Sequence, residues 1–193
     1  MIIEAEFLNL LSIVAAASDK MLDLRRGRQH SSRDWRTFHE TADAQAIIVV
    51  VFAVTFLEAY MQNYANRRLG SAFSVKHIDR LDVLSKWVIV PRLATLKNVP
   101  TDHVGIELLR DLIHTRNRIV HSKSGALLGY EEIQAFAKRS RYNQSSIVLA
   151  ALNVPYCFRK LGEMLVALDE KEAIPKLMAQ VFGKAKRCPR KAI

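Results

Sequence analysis

Cysteine, proline and glycine are scarce in this chain of 193 residues, with two, five and seven copies respectively. Cys157 and Cys188 are too few and too far apart to read as a disulfide framework or a zinc site, and they point to a reducing compartment. Sparse glycine and proline, with no run of strictly alternating apolar and polar residues, argue against collagen-like, low-complexity and multi-hairpin β architectures. Long hydrophobic runs are missing as well. The longest, residues 46–57, is interrupted by Thr55 and closed by Glu58, short of the roughly 20 residues a membrane span requires. It reads as a buried core helix, and no membrane partner is expected. The opening residues, Met1-Ile-Ile-Glu-Ala-Glu-Phe, have no basic n-region and do not read as a secretory signal. The expected compartment is therefore the cytoplasm. No phosphate loop of the G-x-x-x-x-G-K-S/T type, dinucleotide fingerprint, H-E-x-x-H or G-x-S-x-G is found, and His39-Glu40 is an isolated pair.

The remaining composition is that of a globular protein: 50% of residues are apolar and 25% charged, which excludes wholesale disorder. Lysine and arginine total 29 against 19 acidic residues, so the formal charge is 29 − 19 = +10. Lys184, Lys186, Arg187, Arg190 and Lys191 concentrate five of those charges near the C-terminus. The expected organisation is one helical domain over 1–183 and a basic tail over 184–193. Such a tail can attract phosphate backbones; taken alone, it reads as a solvated, frayed end.

The periodicity is helical almost throughout. Helices are expected over 3–26, with Gly27 as the stop, and over 34–68, capped by Ser32 and ended at Leu69-Gly70. Further helices are expected over 74–90, with Ser74 as the cap and Pro91 perturbing the end, and over 103–123, with Thr101 or Asp102 as the cap and Gly125 as the stop. A short helix over 130–139 precedes one over 143–170, broken at Pro155 and recapped by Asn153, and the last covers 172–182. Two long helices, several short ones and short connections give an all-α fold, an antiparallel helical bundle. Trp35, Trp87 and the phenylalanines and tyrosines fall singly at helical spacing, as core or interface anchors do.

The informative stretch is Leu108-Leu-Arg-Asp-Leu-Ile-His-Thr-Arg-Asn-Arg-Ile-Val-His-Ser122. At 100° per residue, one face collects His103, Glu107, Arg110, His114, Asn117, Arg118 and His121. The opposite face collects Leu108, Leu109, Leu112, Ile113, Ile119 and Val120, an amphipathic pattern. Arg116 falls within the apolar arc. A buried guanidinium requires a partner, and Glu58, the one acidic residue in the apolar centre of the second helix, is the expected structural partner of Arg116. That pair alone would do no more than fix helix register. Asn117 and His121, four residues apart, are neighbours on one face. Histidine suits proton transfer near neutral pH, and arginine suits phosphate and the charge of a phosphorane.

Arg116-Asn-Arg-Ile-Val-His121 resembles the R-x4–6-H motif of the HEPN superfamily, in which a polar residue follows the arginine late in a long helix. The spacer here is four residues, Asn117 occupies the polar place, and Phe56-Leu-Glu-Ala-Tyr60 on a long helix has the family's texture. The likeness covers roughly residues 40–170 in helical layout; only the six-residue motif is specific. It implies a dimeric helical bundle acting as a metal-independent endoribonuclease, in a toxin–antitoxin or antiphage setting. Arg116, Asn117 and His121 would be catalytic, facing their counterparts across a cleft between two subunits. Arg110, His114, Arg118 and Lys123 would bind RNA. No metal or other cofactor is expected. The expected partners are RNA, a second copy of the chain and an antitoxin protein. One branch of the family carries tyrosine two residues after the histidine; Lys123 stands there, so regulation through that tyrosine is not expected. The competing expectations are a catalytically silent bundle binding RNA, a nucleotide or a protein through the same face, and an unrelated helical interaction protein.

Overall fold

A computed structural model describes residues 2–27, 35–120 and 130–188, which form an all-α helical bundle. The helices are α1 (Ile2–Gly27), α2 (Trp35–Leu69), α3 (Ser71–Phe73), α4 (Val83–Thr95), α5 (Val104–Val120), α6 (Tyr130–Leu168) and α7 (Ala173–Val181). A π turn, Ser74–Ile78, follows the short α3. The Ser32 cap, the Gly125 stop, His121 and Lys123 lie outside the described residues.

The core is organised around α2, which touches α1, α4, α5 and α6. By length and composition its stretch over 42–69 is apolar enough to cross a membrane, and 56% of the defining window is buried inside the fold. Helices hydrophobic over most of their circumference belong in a large core or a membrane; here the four neighbouring helices cover most of the apolar surface. Ile47, Ile48 and Phe52 remain about 40% exposed on one side. Phe56 stacks on Phe158 of α6 at 5.4 Å between ring centres and meets Phe7 of α1 edge-on at 6.2 Å. Tyr60 lies 6.1 Å from Trp87 of α4, whose indole N–H donates to the Leu57 carbonyl at 3.1 Å. These rings are buried, and each such side chain contributes about 1.5–3 kcal/mol through lost apolar surface.

Helix directions are mixed. Gly105 meets Cys157 and Arg118 meets Ser146, so α5 and α6 run antiparallel. Phe56 meets Phe158 and Tyr64 meets Asp169, so α2 and α6 run the same way. The antiparallel order thus applies to the α5/α6 pair and not to every neighbour. Gly162 allows α7 to close on α6: a Cβ there would lie 2.6 Å from the Pro175 carbonyl oxygen.

Several local expectations are corrected. The helix expected over 74–90 begins instead at Val83, where Asp82 Oδ1 accepts from the Ser85 backbone N–H at 3.0 Å. Ser74 is no N-cap; it is buried in the π turn, its hydroxyl accepting from Gln62 Nε2 at 3.0 Å. Pro91 sits inside α4, which ends only at Leu96, in the left-handed region with φ 58°. Pro155 likewise lies inside a continuous α6. A proline in a helix interior costs about 3 kcal/mol, and both prolines are buried, among the apolar contacts that offset this. Asn153 restarts nothing, because its amide is engaged elsewhere, with the C-terminal segment. That segment does not fray over 184–188: Cys188 is buried, and Phe182 packs on Phe158 at 5.4 Å.

Candidate functional site

The helix α5 is set in place at its first turn. Neither Thr101 nor Asp102 caps it. The His103 imidazole does, with Nδ1 accepting from the Gly105 backbone N–H at 3.1 Å. Accepting there requires an unprotonated nitrogen. Burial, reinforced by the nearby charge of Lys160, holds this histidine below its ordinary pKa, in agreement with that role.

From that anchor the helix divides its side chains much as its periodicity predicts. Ile106, Leu108, Leu109, Leu112 and Thr115 are buried, while Glu107, Arg110, His114 and Asn117 are exposed. Arg110, His114 and Asn117 fall one turn apart along a single face. Arg118 leaves that face: it is partly buried, and its guanidinium reaches Ser146 Oγ on α6 at 3.4 Å. Val120, assigned to the apolar face, is 54% exposed.

Arg116 Nη2 lies 3.8 Å from Glu58 Oε2, an ion pair joining α5 to α2. The pair is not buried as the helical wheel implied, for its side chains are 24% and 44% exposed. Arg116 sits at the margin of the apolar arc, so its stem packs while its guanidinium reaches solvent. An exposed pair of this kind is worth about 0–1 kcal/mol. The charge of Arg116 therefore remains accessible. Of the three catalytic candidates, Arg116 and Asn117 are adjacent on described backbone; the third, His121, lies beyond it, as does Lys123.

Sequence reasoning missed a polar cluster at the far end of the bundle. Glu172, only 3% exposed, accepts from Arg67 Nη1 and Nη2 at 3.2 and 2.8 Å and from the Tyr60 hydroxyl at 3.3 Å. Arg68 Nη2 lies 2.6 Å from Asp169 Oδ2 and 3.2 Å from Glu172 Oε1, and the Tyr64 hydroxyl donates to Asp169 at 3.0 Å. Burial, with the neighbouring carboxylates, pushes both tyrosines far above the ordinary phenol range. A signal existed in Tyr60, Tyr64, Arg67 and Arg68 at helical spacing and in the acidic turn Asp169-Glu-Lys-Glu172. Nothing in the spacing brings those two segments together. Among the described residues, no three histidine, cysteine, aspartate or glutamate side chains converge as metal ligands do.

Compared with family models, curated proteins and solved structures, the chain matches none.

Proposed function

We propose that this chain is a metal-independent endoribonuclease of HEPN type, working in the cytoplasm as a homodimer and serving as a toxin or antiphage effector. The observation that carries this reading is the exposed polar stripe of Arg110, His114 and Asn117. It leads along α5 toward the motif's histidine, with the accessible Arg116 tethered beside it by Glu58. RNA supplies its own nucleophile. A base removes the 2′-hydroxyl proton, the oxygen attacks the adjacent phosphorus, and a 2′,3′-cyclic phosphate forms as the 5′-oxygen departs and is protonated. His121 acts in proton transfer, Arg116 stabilises the charge on the phosphorane, and Asn117 positions the phosphate.

The test is incubation of purified protein with a mixed RNA pool in EDTA, beside folded His121→Ala and Arg116→Ala variants. Cleavage by the wild type, leaving 2′,3′-cyclic phosphate ends, and its loss in both variants is the expected result. General acid–base catalysis contributes about 10²–10⁴-fold, so His121→Ala should fall by that order. Retained RNA binding without cleavage by any form would replace this reading with that of a silent RNA-binding bundle.

A further inference from the structure

The basic C-terminal segment is fastened to the bundle by backbone contacts that leave the charged tips of Lys184 and Lys186 out of the fastening. Asn153 Oδ1 accepts from the Cys188 backbone N–H at 2.7 Å, while its Nδ2 donates to the Leu149 carbonyl at 3.1 Å and to the Cys188 carbonyl at 3.5 Å. Arg159 Nη1 donates to the Gly183 carbonyl at 3.2 Å. Between these two fastenings Ala185 turns inward, while Lys184 and Lys186 are exposed. Arg187 crosses to α5 and pairs with Glu107 at 3.0 Å. Glu107 is one turn before Arg110, so the fastened segment abuts the start of the same exposed stripe that carries the proposed site.

The α6 side of this junction is basic too. Arg159 and Lys160 lie 5.0 and 5.9 Å from the centre of the Tyr156 ring, and both pair with Glu163. Ring and carboxylate hold these two cations in place, so little side-chain freedom remains to be lost on binding an anion. Arg159 and Lys160 of α6 and Lys184, Lys186 and Arg187 of the segment are joined through the Arg159–Gly183 contact, five cations against the carboxylates of Glu163 and Glu107.

We infer that this fastened segment is a phosphate-binding exosite that holds single-stranded RNA on the approach to the α5 stripe. The inference rests on the reading of α5 as an RNA-cleaving site, and it adds where the strand is held. From Glu107 to Val120, the last described residue of α5, the helix advances roughly 20 Å at 1.5 Å per residue, so the strand is gripped several nucleotides from the bond to be cut. Lys184 and Lys186 supply charge without touching the reacting atoms. Asn153 is a positioning residue, since it contributes no charge and fixes where the charges sit.

The experiment measures the affinity of the full chain for a single-stranded RNA of about 20 nucleotides over a salt series, using wild type, the double variant Lys184→Gln/Lys186→Gln, Lys184→Arg/Lys186→Arg and Asn153→Ala. Each phosphate contact on single strands adds about 0.7 to the slope of log affinity against log salt. The glutamine pair should lower that slope by about 1.4 and weaken binding at least tenfold; the arginine pair should restore both. Asn153→Ala, checked for helicity, should weaken binding at unchanged net charge. Unaltered affinity and slope in the glutamine pair, with wild-type binding intact, would overturn the exosite and leave the cleavage reading standing. Weaker binding in the glutamine pair but not in Asn153→Ala would reduce the segment to unlocalised charge and also overturn it. Absence of RNA binding by the wild type would remove both proposals together.

Discussion

Two sets of ion pairs join α2 to the rest of the bundle, and they differ in almost every physical respect. At the end of α2, Arg67 and Arg68 meet Asp169 and Glu172 at 2.6–3.2 Å, with two buried phenols adding hydrogen bonds. Two to three turns earlier, Glu58 and Arg116 face each other at 3.8 Å, the carboxylate exposed and the guanidinium half-buried. The first cluster satisfies its charges internally, because a carboxylate only 3% exposed is stable only when paired and hydrogen-bonded. The second rests on one long contact to a carboxylate that is 44% exposed, while the arginines of both sets keep some contact with water. A brace and a site need opposite solutions to the same problem, and this molecule contains both on one helix.

The largest effect should come from breaking the brace. Glu172→Ala removes the acceptor for Arg67, Arg68 and the Tyr60 hydroxyl at once. Both arginines keep substantial solvent contact, which discounts the penalty below that of a fully buried pair. A loss of about 2–3 kcal/mol in chemical denaturation is expected, chiefly from the buried hydroxyl and the lost charged hydrogen bonds. A loss below about 0.5 kcal/mol would place this cluster in the same class as Glu58–Arg116 and erase the contrast.

Next in size is a comparable strain elsewhere in the same end of the fold. Gly162→Ala would push a methyl group against the Pro175 carbonyl, a backbone atom that cannot rotate away. Overpacking of this kind costs about 1–3 kcal/mol, and thermal unfolding should report it as a lowered midpoint. The neighbouring brace should also show itself in alkali. Tyr60 and Tyr64 are raised in the folded protein by burial and by nearby carboxylates. Their contribution is present below the pH at which free tyrosine ionises, about 10, and is lost as pH rises above it, since only the unfolded chain releases those protons readily. Stability should therefore fall from pH 10 upward, less steeply in Tyr60→Phe, which also forfeits about 1 kcal/mol at neutral pH.

A smaller acid effect should appear at α5. His103 is lowered by burial and by Lys160, so the capping contribution is complete above the ordinary histidine pKa of about 6.5 and declines as pH falls below it. Between those limits the unfolded state binds the proton more readily, and stability rises with pH. Denaturation at pH 7 and pH 5 with wild type and His103→Asn, which retains a capping oxygen, should show a smaller pH difference in the variant.

Fold class and the faces of α5 were legible because both follow from short-range periodicity: Leu108, Leu109 and Leu112 are buried, and Arg110, His114 and Asn117 are exposed, as 100° spacing requires. The prolines misled, because Pro91 and Pro155 are penalised locally and retained by tertiary burial, which a helical wheel does not contain. His103 was missed as a cap because serine, threonine and aspartate dominate that position, and Thr101 and Asp102 stood just before it. Arg116 was placed too deep, since a wheel treats every apolar arc as equally buried and α5 turns one edge of its arc to solvent at Val120 as well. The brace and the Asn153 clamp join residues 105 and 35 positions apart, and no local pattern encodes such distances.

The smallest expected change in stability carries the most information about the site. Glu58→Gln removes one charge from a pair at 3.8 Å whose carboxylate is exposed and whose guanidinium is half-buried. Solvent screening limits its contribution to well under 1 kcal/mol, so denaturation should hardly distinguish the variant from wild type. Cleavage should respond differently. If Arg116 stabilises phosphorane charge, its guanidinium has to be aimed before reaction, and Glu58 is the group that aims it. Turnover on single-stranded RNA should then fall several-fold in Glu58→Gln while RNA affinity, carried by other cations, stays within about twofold. Glu58→Asp, with a shorter reach to the same arginine, should fall between. Equal turnover in all three proteins would show that the pair only sets the register of α5 against α2, and Arg116 would lose its place in the proposed chemistry.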